Sequence, residues 1–476
     1  MPFIIPANTL ASGGFDVDNS GRFNIGSSDH LTRSLGGSPT STRKATWSYW
    51  VKRSTLTSSA SEMIYSNEVA DDNNRGFIQF EDNDSFRMTD SVSSTQLKTN
   101  RLFRDVASFY HIVLAIDTTQ GTAANRIKLY VNGVQETSFA TASYPDQNDD
   151  LKILTGGQTN KQHISKVHGG SGYFGGYLSE FVFIDGLQLA PTSFGEFEED
   201  SGIWVPIDVS GLTFGTNGFY LDFEDSSALG NDANGGTDFT VNNLTAADQS
   251  TDTCTNNFAT LNSLNNYWAA ATFSEGNLVY TSNNTGDYYG ISPSTIGVSK
   301  GKWYFEAKTS TASGQDILGI TSRNMTGRTT WLGSRSQEYG YYQDNGEIRS
   351  NAGGGGSDTS YGQTYTVNDI IGIYMDLDNN KMYVSDNGSL MNSGTGHTIT
   401  AAALTDSGFY HFAVGDNSDS TQVWQCNFGG TSGFAISSAV ADDNGFGAFE
   451  YSPNITGDSV AKKFYSLCTK NLAEFG

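Results

Sequence analysis

The side chains able to do chemistry are few and scattered. Six histidines stand at positions His30, His111, His163, His168, His397 and His411, and none sits in a motif with a nearby Ser or Cys nucleophile. His111 and His411 follow Tyr110 and Tyr410 inside apolar runs, where a packed strand histidine is the expected role. Glycoside hydrolysis needs two carboxylates facing each other across a cleft, commonly from alternate residues of one strand. The run YLDFED (220–225) offers Asp222 and Glu224 on one face, without a third alternating acid or adjacent cleft aromatics. Glu180 and Asp185 are separated by an odd number of residues and cannot share a face. The GGGGS run at 353–357 has no Lys-Ser/Thr after it, so it is not a phosphate loop. No catalytic residue is therefore assigned, and the chain reads as a non-enzyme.

Binding chemistry is better represented. The stretch TTWLGSRSQEYGYYQDN places Trp331, Arg335, Tyr339, Tyr341, Tyr342 and Asp344 within a short span. Aromatic faces beside amides, a carboxylate and a guanidinium are what a sugar or a protein loop needs. Alternate members such as Tyr339 and Tyr341 have strand core as their other reading. A second polar cluster, Lys161, His163, Lys166 and His168, reads as a solvated loop that offsets local repulsion.

These residues must be positioned by strands. Two stretches share one grammar: HIVLAIDTTQGTAANRIKLYVNGVQ (111–135) and DIIGIYMDLDNNKMYVSDNGSL (369–390) each carry an apolar run to Asp, a polar turn, and Lys-apolar-Tyr-Val before Asn-Gly. TWSYWVKRS alternates Trp47, Tyr49 and Val51 against Ser48 and Trp50. With 54 Gly, 23 Tyr, 29 Phe and only 16% charged residues, composition favours strands and turns. The expected fold is all-β: two jelly-roll β-sandwiches at 1–205 and 265–435, a connector at 206–264 and a short C-terminal tail at 436–476. One helical turn is expected in SFGEFEED (193–200), and Phe449, Tyr451, Phe464 and Tyr465 are expected to pack the tail.

Charge and cysteines narrow the partners. A net charge of -24 opposes nucleic acid and anionic membranes. Three cysteines, Cys254, Cys426 and Cys468, make neither a disulfide framework nor a zinc pair, which fits folding in a reducing cytoplasm. The N-terminus MPFIIPANTLASGG lacks the basic start of a signal peptide, and no apolar run suits membrane insertion.

The residues RFNIGSSDHL, TWSYWVKRS, FYHIVLAIDTTQ, RIKLYVNGV and GYLSEFVFIDGLQLAP, together spanning nearly all of 20–192, resemble the laminin-G-like or concanavalin A-like lectin/glucanase family. GKWYFEAK, DILGIT, YGYYQDNGEIRS and DIIGIYMDLDNNKMYVSDNG resemble the SPRY family, another concanavalin A-like sandwich. NGFYLDFEDSSALGNDANGGTDFTVNNL, DTCTNNFATLN and FYSLCTKNL are similar to segments of tailed-bacteriophage virion proteins, where a proline often stands in place of Cys254. The resemblance implies a virion structural and adhesion protein (tail fibre, receptor-binding or head fibre), made in bacterial cytoplasm and released by lysis. It would bind a bacterial surface glycan or another virion protein. A capsid-decoration or assembly protein with no external ligand is the alternative, and a glycan hydrolase stands third. Phage fibres and decorations are commonly trimeric, which implies a homo-oligomer, although no heptad or β-helical repeat enforces one here. In SPRY domains the partner-binding face is made by loops like the one around Trp331. Laminin-G-like sandwiches often hold calcium at a loop edge, and Asp117 and Asn132 match such positions by type; no cofactor is required, and Ca²⁺ is the one the resemblance admits.

Overall fold

The structure, a computed structural model, describes residues 14–56, 60–67, 75–155, 161–167, 170–267, 271–283, 289–311, 315–325, 330–351, 358–417, 420–456 and 462–476. His168 and the GGGGS run lie outside these residues. The chain divides into two compact units, with the change at Asn256 and Asn257. Both are built almost wholly of antiparallel strands.

In the first unit one sheet runs Val134–Gln135, Ile127–Val131, Tyr110–Asp117, Lys44–Arg53, Gly176–Asp185, Ser20–Phe23, Gln249–Ser250, and Phe219–Leu221 also pairs with Gly176–Asp185. The facing sheet runs Phe139–Ser143, Thr95–Leu102, Ser85–Asp90, Gly76–Phe80, Glu62–Asn67, Lys161–Ile164, His30–Ser34, Thr240–Asn242. Alternation sends Trp47, Tyr49, Val51, Ile112, Leu114, Phe181 and Phe183 inward, where they meet Tyr65, Ile78, Phe80, Phe86 and Met88. The expected hairpin forms in register from Ile112 with Val131 to Ile116 with Ile127. Asn132 and Gly133 then take φ of 48° and 77°, the conformation of a tight primed turn. Gly133 is needed twice over, because a Cβ there would lie 2.3 Å from the Trp204 ring.

The outer face of the first sheet is apolar too. Val113, Val182 and Ile184 are buried there by Phe194, Val209, Phe214 and Tyr220, and Trp50 and Tyr177 pack with Trp204. Much of this cover comes from residues read from sequence as a connector. Residues 206–256 belong to the first unit and supply three of its strands, and Phe219, Leu221, Phe223, Leu229, Phe239 and Leu244 join its core. Low hydrophobicity hid this, because polar links supplement the apolar anchors: Arg22 pairs with Asp248 at 2.9 Å, Arg33 with Asp232 at 3.1 Å and Lys52 with Asp252 at 2.7 Å, all buried. Two smaller expectations also change. SFGEFEED forms no α-helical turn but gives a 3-10 turn at Pro191–Ser193 and a strand Gly195–Phe197 paired with Trp204–Pro206. His163 is buried in the strand Lys161–Ile164 rather than solvated.

The second unit pairs two further sheets. One runs Thr272–Ser274, Val279–Thr281, Val423–Asn427, Lys302–Thr309, Ile370–Asp376, Lys381–Asp386, Ser389–Leu390; the other runs Ile291–Pro293, His411–Asp416, Asp316–Thr321, Glu338–Tyr342, Glu347–Arg349, Thr359–Ser360. Ala259 and Leu261, read as the end of the connector, lie in this core. The tail at 436–476 covers the outer face of the first of these sheets. Phe449, Ile455 and Phe464 bury Tyr304, Tyr374 and Tyr383, while Tyr451 and Tyr465 remain half-buried. Glu306 fixes the tail by accepting the backbone N–H groups of Glu450 and Tyr451 at 3.0 and 2.8 Å.

The buried pairs set the first stability test. Asp252→Asn should cost about 3–5 kcal/mol in urea unfolding, since it removes the carboxylate paired with the buried Lys52 charge at 2.7 Å. Lys52→Met together with Asp252→Asn should recover most of that loss, and an unrecovered loss would exclude the ion pair as its cause.

Candidate functional site

Three constellations can be tested for chemistry, the first two in the first unit. Ser48 Oγ lies 2.8 Å from His111 Nε2, the spacing of a nucleophile and its base. The indole N–H of Trp204, a donor only, meets His111 Nδ1 at 2.8 Å. The neutral ring therefore carries its proton on Nε2 and donates it to Ser48, which is the wrong tautomer for removing a serine proton. Burial holds the His111 pKa down to about 3. The packed strand histidine is what the structure contains.

Beside it, the carboxylates gather more closely than the sequence suggested. A bulge between Ser179 and Val182 in the strand Gly176–Asp185, with Glu180 at φ 49°, turns Glu180 to the outer face. There it accepts a hydrogen bond from the Tyr220 hydroxyl at 2.7 Å. The strand Phe219–Leu221 ends before Asp222 and Phe223 takes φ 60°, so Asp222 and Glu224 do not share a strand face as expected. They lie beyond the strand, the Glu224 N–H donating to Asp222 Oδ1 at 3.1 Å, and Glu180 is close enough to feel both charges. Burial raises the Glu180 carboxyl to about 8, and the charges of Asp222, Glu224 and Asp208 push the same way against the Tyr220 bond. A carboxylic acid kept protonated at neutral pH is the state a general acid requires. Glu180 is nonetheless 6% exposed, covered by the outer layer, and holds its partner within the protein. Glu180 is thus covered, whereas Asp222 is half-buried and Glu224 exposed. Irregular strand geometry concealed Glu180, since reading faces by parity assumes no bulge.

Asp117 and Asn132 do not come together. Asp117 ends the strand Tyr110–Asp117, whereas the Asn132 side chain accepts the backbone N–H of His111 at its start. Six residues of extended chain separate those positions, roughly 20 Å, so one ion cannot touch both. Asp117 accepts from Thr119 N and Oγ1 at 3.0 and 2.6 Å and from Gln120 Nε2 at 2.7 Å, with Lys44 at 3.5 Å. Burial would raise its pKa, but these bonds and Lys44 outweigh it and hold the carboxyl below the ordinary range. Asp117 organises a turn and Asn132 takes the left-handed turn position. Among the described residues no cluster of three or more His, Cys, Asp or Glu could hold a metal ion.

The third constellation is in the second unit. The six residues around Trp331 separate into two groups. Tyr339 and Tyr341 are core, their hydroxyls bonded to Thr400 and to the Gln363 carbonyl. Tyr342 is 4% exposed and packs on the sheet's outer face with Ile317, Met325 and Leu332. Trp331 and Arg335 are half-buried and Asp344 is exposed. Trp331 packs against the Tyr342 cluster and meets Tyr289 edge to face at 5.3 Å. Arg349, which sequence reasoning passed over, lies with its guanidinium carbon 3.5 Å from the Tyr342 ring centroid. The hairpin through Gln343–Asn345 sets this contact: Arg349 pairs in register with Gly340, two residues before Tyr342 on the same face of the neighbouring strand. The turn residues DNG and the following Arg carried that signal. The result is a half-exposed ledge of Trp331, Tyr289 and Arg349 on a rigid sheet.

The fold can now be set beside known proteins. Residues 16–187 match the Laminin G profile of the concanavalin A-like lectin/glucanases superfamily. This agrees with the jelly-roll sandwich of the first unit. No curated protein sequence matches the chain. Among solved structures, the SPRY domain of human HERC1 aligns at 14% identity over 35% of this chain and 96% of its own, with a TM-score of 0.26. A human SPRY domain aligns at 16% identity over 31% of this chain and 89% of its own, with a TM-score of 0.24. A Bacteroides ovatus protein named for carbohydrate binding aligns at 16% identity over 48% of this chain and 59% of its own, with a TM-score of 0.33.

Two measurements check the first unit. Because the native Glu180 pKa stands above its unfolded value, the unfolded chain loses this proton first as pH rises, and stability falls between about 4.5 and about 8. Glu180→Gln should remove a fall of a few kcal/mol over that window in urea titrations, and identical pH slopes for variant and parent would refute the buried acid. For calcium, the melting temperature should be the same in excess Ca²⁺ and in chelator, and a rise with Ca²⁺ that Asp117→Asn abolishes would contradict the turn assignment.

Proposed function

We propose that the chain is a non-catalytic binding protein of a tailed-phage particle, in which sandwich loops recognise a bacterial surface glycan or another virion protein. The observation that carries the binding role is the Trp331, Tyr289 and Arg349 ledge, half-exposed on the outer face of a sheet. A flat aromatic beside a planar cation, held on a sheet, suits a ligand with one apolar face and polar edges. The lectin/glucanases match, over residues 16–187 of the first unit, makes a glycan the first class of ligand to test. The covered state of Glu180 and the tautomer of His111 support binding over turnover. The virion setting rests on the resemblance of residues 217–244, 252–262 and 464–472 to phage particle segments, and the SPRY-like character of the second unit on its own sequence resemblance. On this reading the protein acts in the virion as a homo-oligomer, with a trimer the first arrangement to test.

Host-cell pull-down with the whole chain tests the proposal. Retention on cells that falls at least tenfold for Trp331→Ala, without loss of folding, is the expected result. Retention only on purified particles, unchanged by Trp331→Ala, would favour the decoration reading, and release of reducing sugar from host polysaccharide would overturn the non-catalytic one.

A further inference from the structure

We infer that the Trp331 ledge takes an acidic saccharide, a sugar residue bearing a carboxylate, whose apolar face lies on Trp331 and whose anionic group meets Arg349. This rests on the glycan-binding reading above. The chain has 51 acidic residues for 27 Lys and Arg, so a cation near the surface has carboxylates to choose from. Three cations of the second unit use one: Lys302 pairs with Asp378 at 2.9 Å and Arg323 with Asp406 at 3.0 Å, and Lys463 pairs with Asp443. Arg349 makes no ion pair with any described carboxylate; its Nε is buried without a hydrogen-bond partner among the described residues, so a ligand would be met by the terminal nitrogens. The nearest acids are otherwise placed. Glu347, two residues earlier on the same strand, accepts from the Asn345 amide, and exposed Asp344 and Asp358 form no pair with it.

The guanidinium is also held in place. Stacking at 3.5 Å over Tyr342, which is itself packed in a buried cluster, fixes its plane. A planar guanidinium presents a fork that matches a carboxylate in two parallel hydrogen bonds. A neutral sugar would leave that fork unmatched in a partly dry site, a cost that a carboxylate removes. The net charge of -24 repels long polyanions, but that field is screened beyond about 8 Å at physiological ionic strength. A short acidic unit can therefore be recognised locally.

Calorimetry with the whole chain tests this, using tetragalacturonate, its methyl ester and a tetraglutamate peptide at physiological ionic strength. The acid form should bind at least tenfold more tightly than the ester. Arg349→Gln should reduce that ratio to within about twofold by weakening the acid form more than the ester, Arg349→Lys should keep part of it, and Trp331→Ala should weaken both sugars. Equal binding of acid and ester would overturn the carboxylate assignment while leaving glycan binding intact. Tighter binding of the peptide than of the acid sugar would overturn the saccharide assignment. Failure of both sugars to bind, alongside Trp331-dependent retention on host cells, would overturn this inference alone.

Discussion

Each unit contains a sheet that is apolar on both faces, and most of the structure follows from covering the second face. An antiparallel sandwich ordinarily leaves its outer faces to water. In the first unit Val113, Val182, Ile184 and Trp50 face outward, and the chain returns over them with Phe194, Trp204, Val209, Phe214 and Tyr220. Three cations buried at the sandwich, Arg22, Arg33 and Lys52, receive Asp248, Asp232 and Asp252 from that returning segment. Sandwich and cover are thus interdependent: cations in the sandwich need the carboxylates, and the segment's modest apolar content needs the cations. In the second unit the tail covers Tyr304, Tyr374 and Tyr383, and the carboxylate of Glu306 receives its backbone. Glu306 rises to about 7 because burial outweighs those hydrogen bonds.

This covering decides where function can sit. It buries Glu180 and the His111 ring, the two groups whose neighbours invite a catalytic reading, and gives each a partner inside the protein. In the second unit aromatic packing reaches the surface at Trp331 and Tyr289, and Arg349 is half-buried over Tyr342 in the cluster against which Trp331 packs. Burial there is enough to hold the rings and the guanidinium in place, and exposure is enough to admit a ligand.

Much of the fold was legible because strand alternation is a short-range signal. The faces of Trp47, Tyr49 and Val51, both long hairpins and the packing of Phe449 and Phe464 follow from period two and Asn-Gly turns. The role of residues 206–256 was not legible, because Asp232, Asp248 and Asp252 read as solvated acids until their partners some 200 residues away are known. The candidate site was legible in part. Trp331 stood out by type, whereas Tyr339 and Tyr341 could be assigned to the core only from the facing sheet. Arg349 depended on a hairpin register, and Glu180 on a bulge. Asp117 and Asn132 both matched calcium-site positions by type, but Asp117 ends the strand Tyr110–Asp117 whereas Asn132, in a following turn, bonds at that strand's start.

Ligand recognition is proposed at the aromatic ledge of the second unit and not at the carboxylates around Glu180 in the first. Hydrogen-exchange mass spectrometry of the whole chain, with and without host-surface polysaccharide, addresses it most directly. The account predicts new protection across residues 289–291 and 330–350 and unchanged exchange at 179–182 and 219–225. Protection confined to 179–182 and 219–225, with residues 330–350 unchanged, would contradict it.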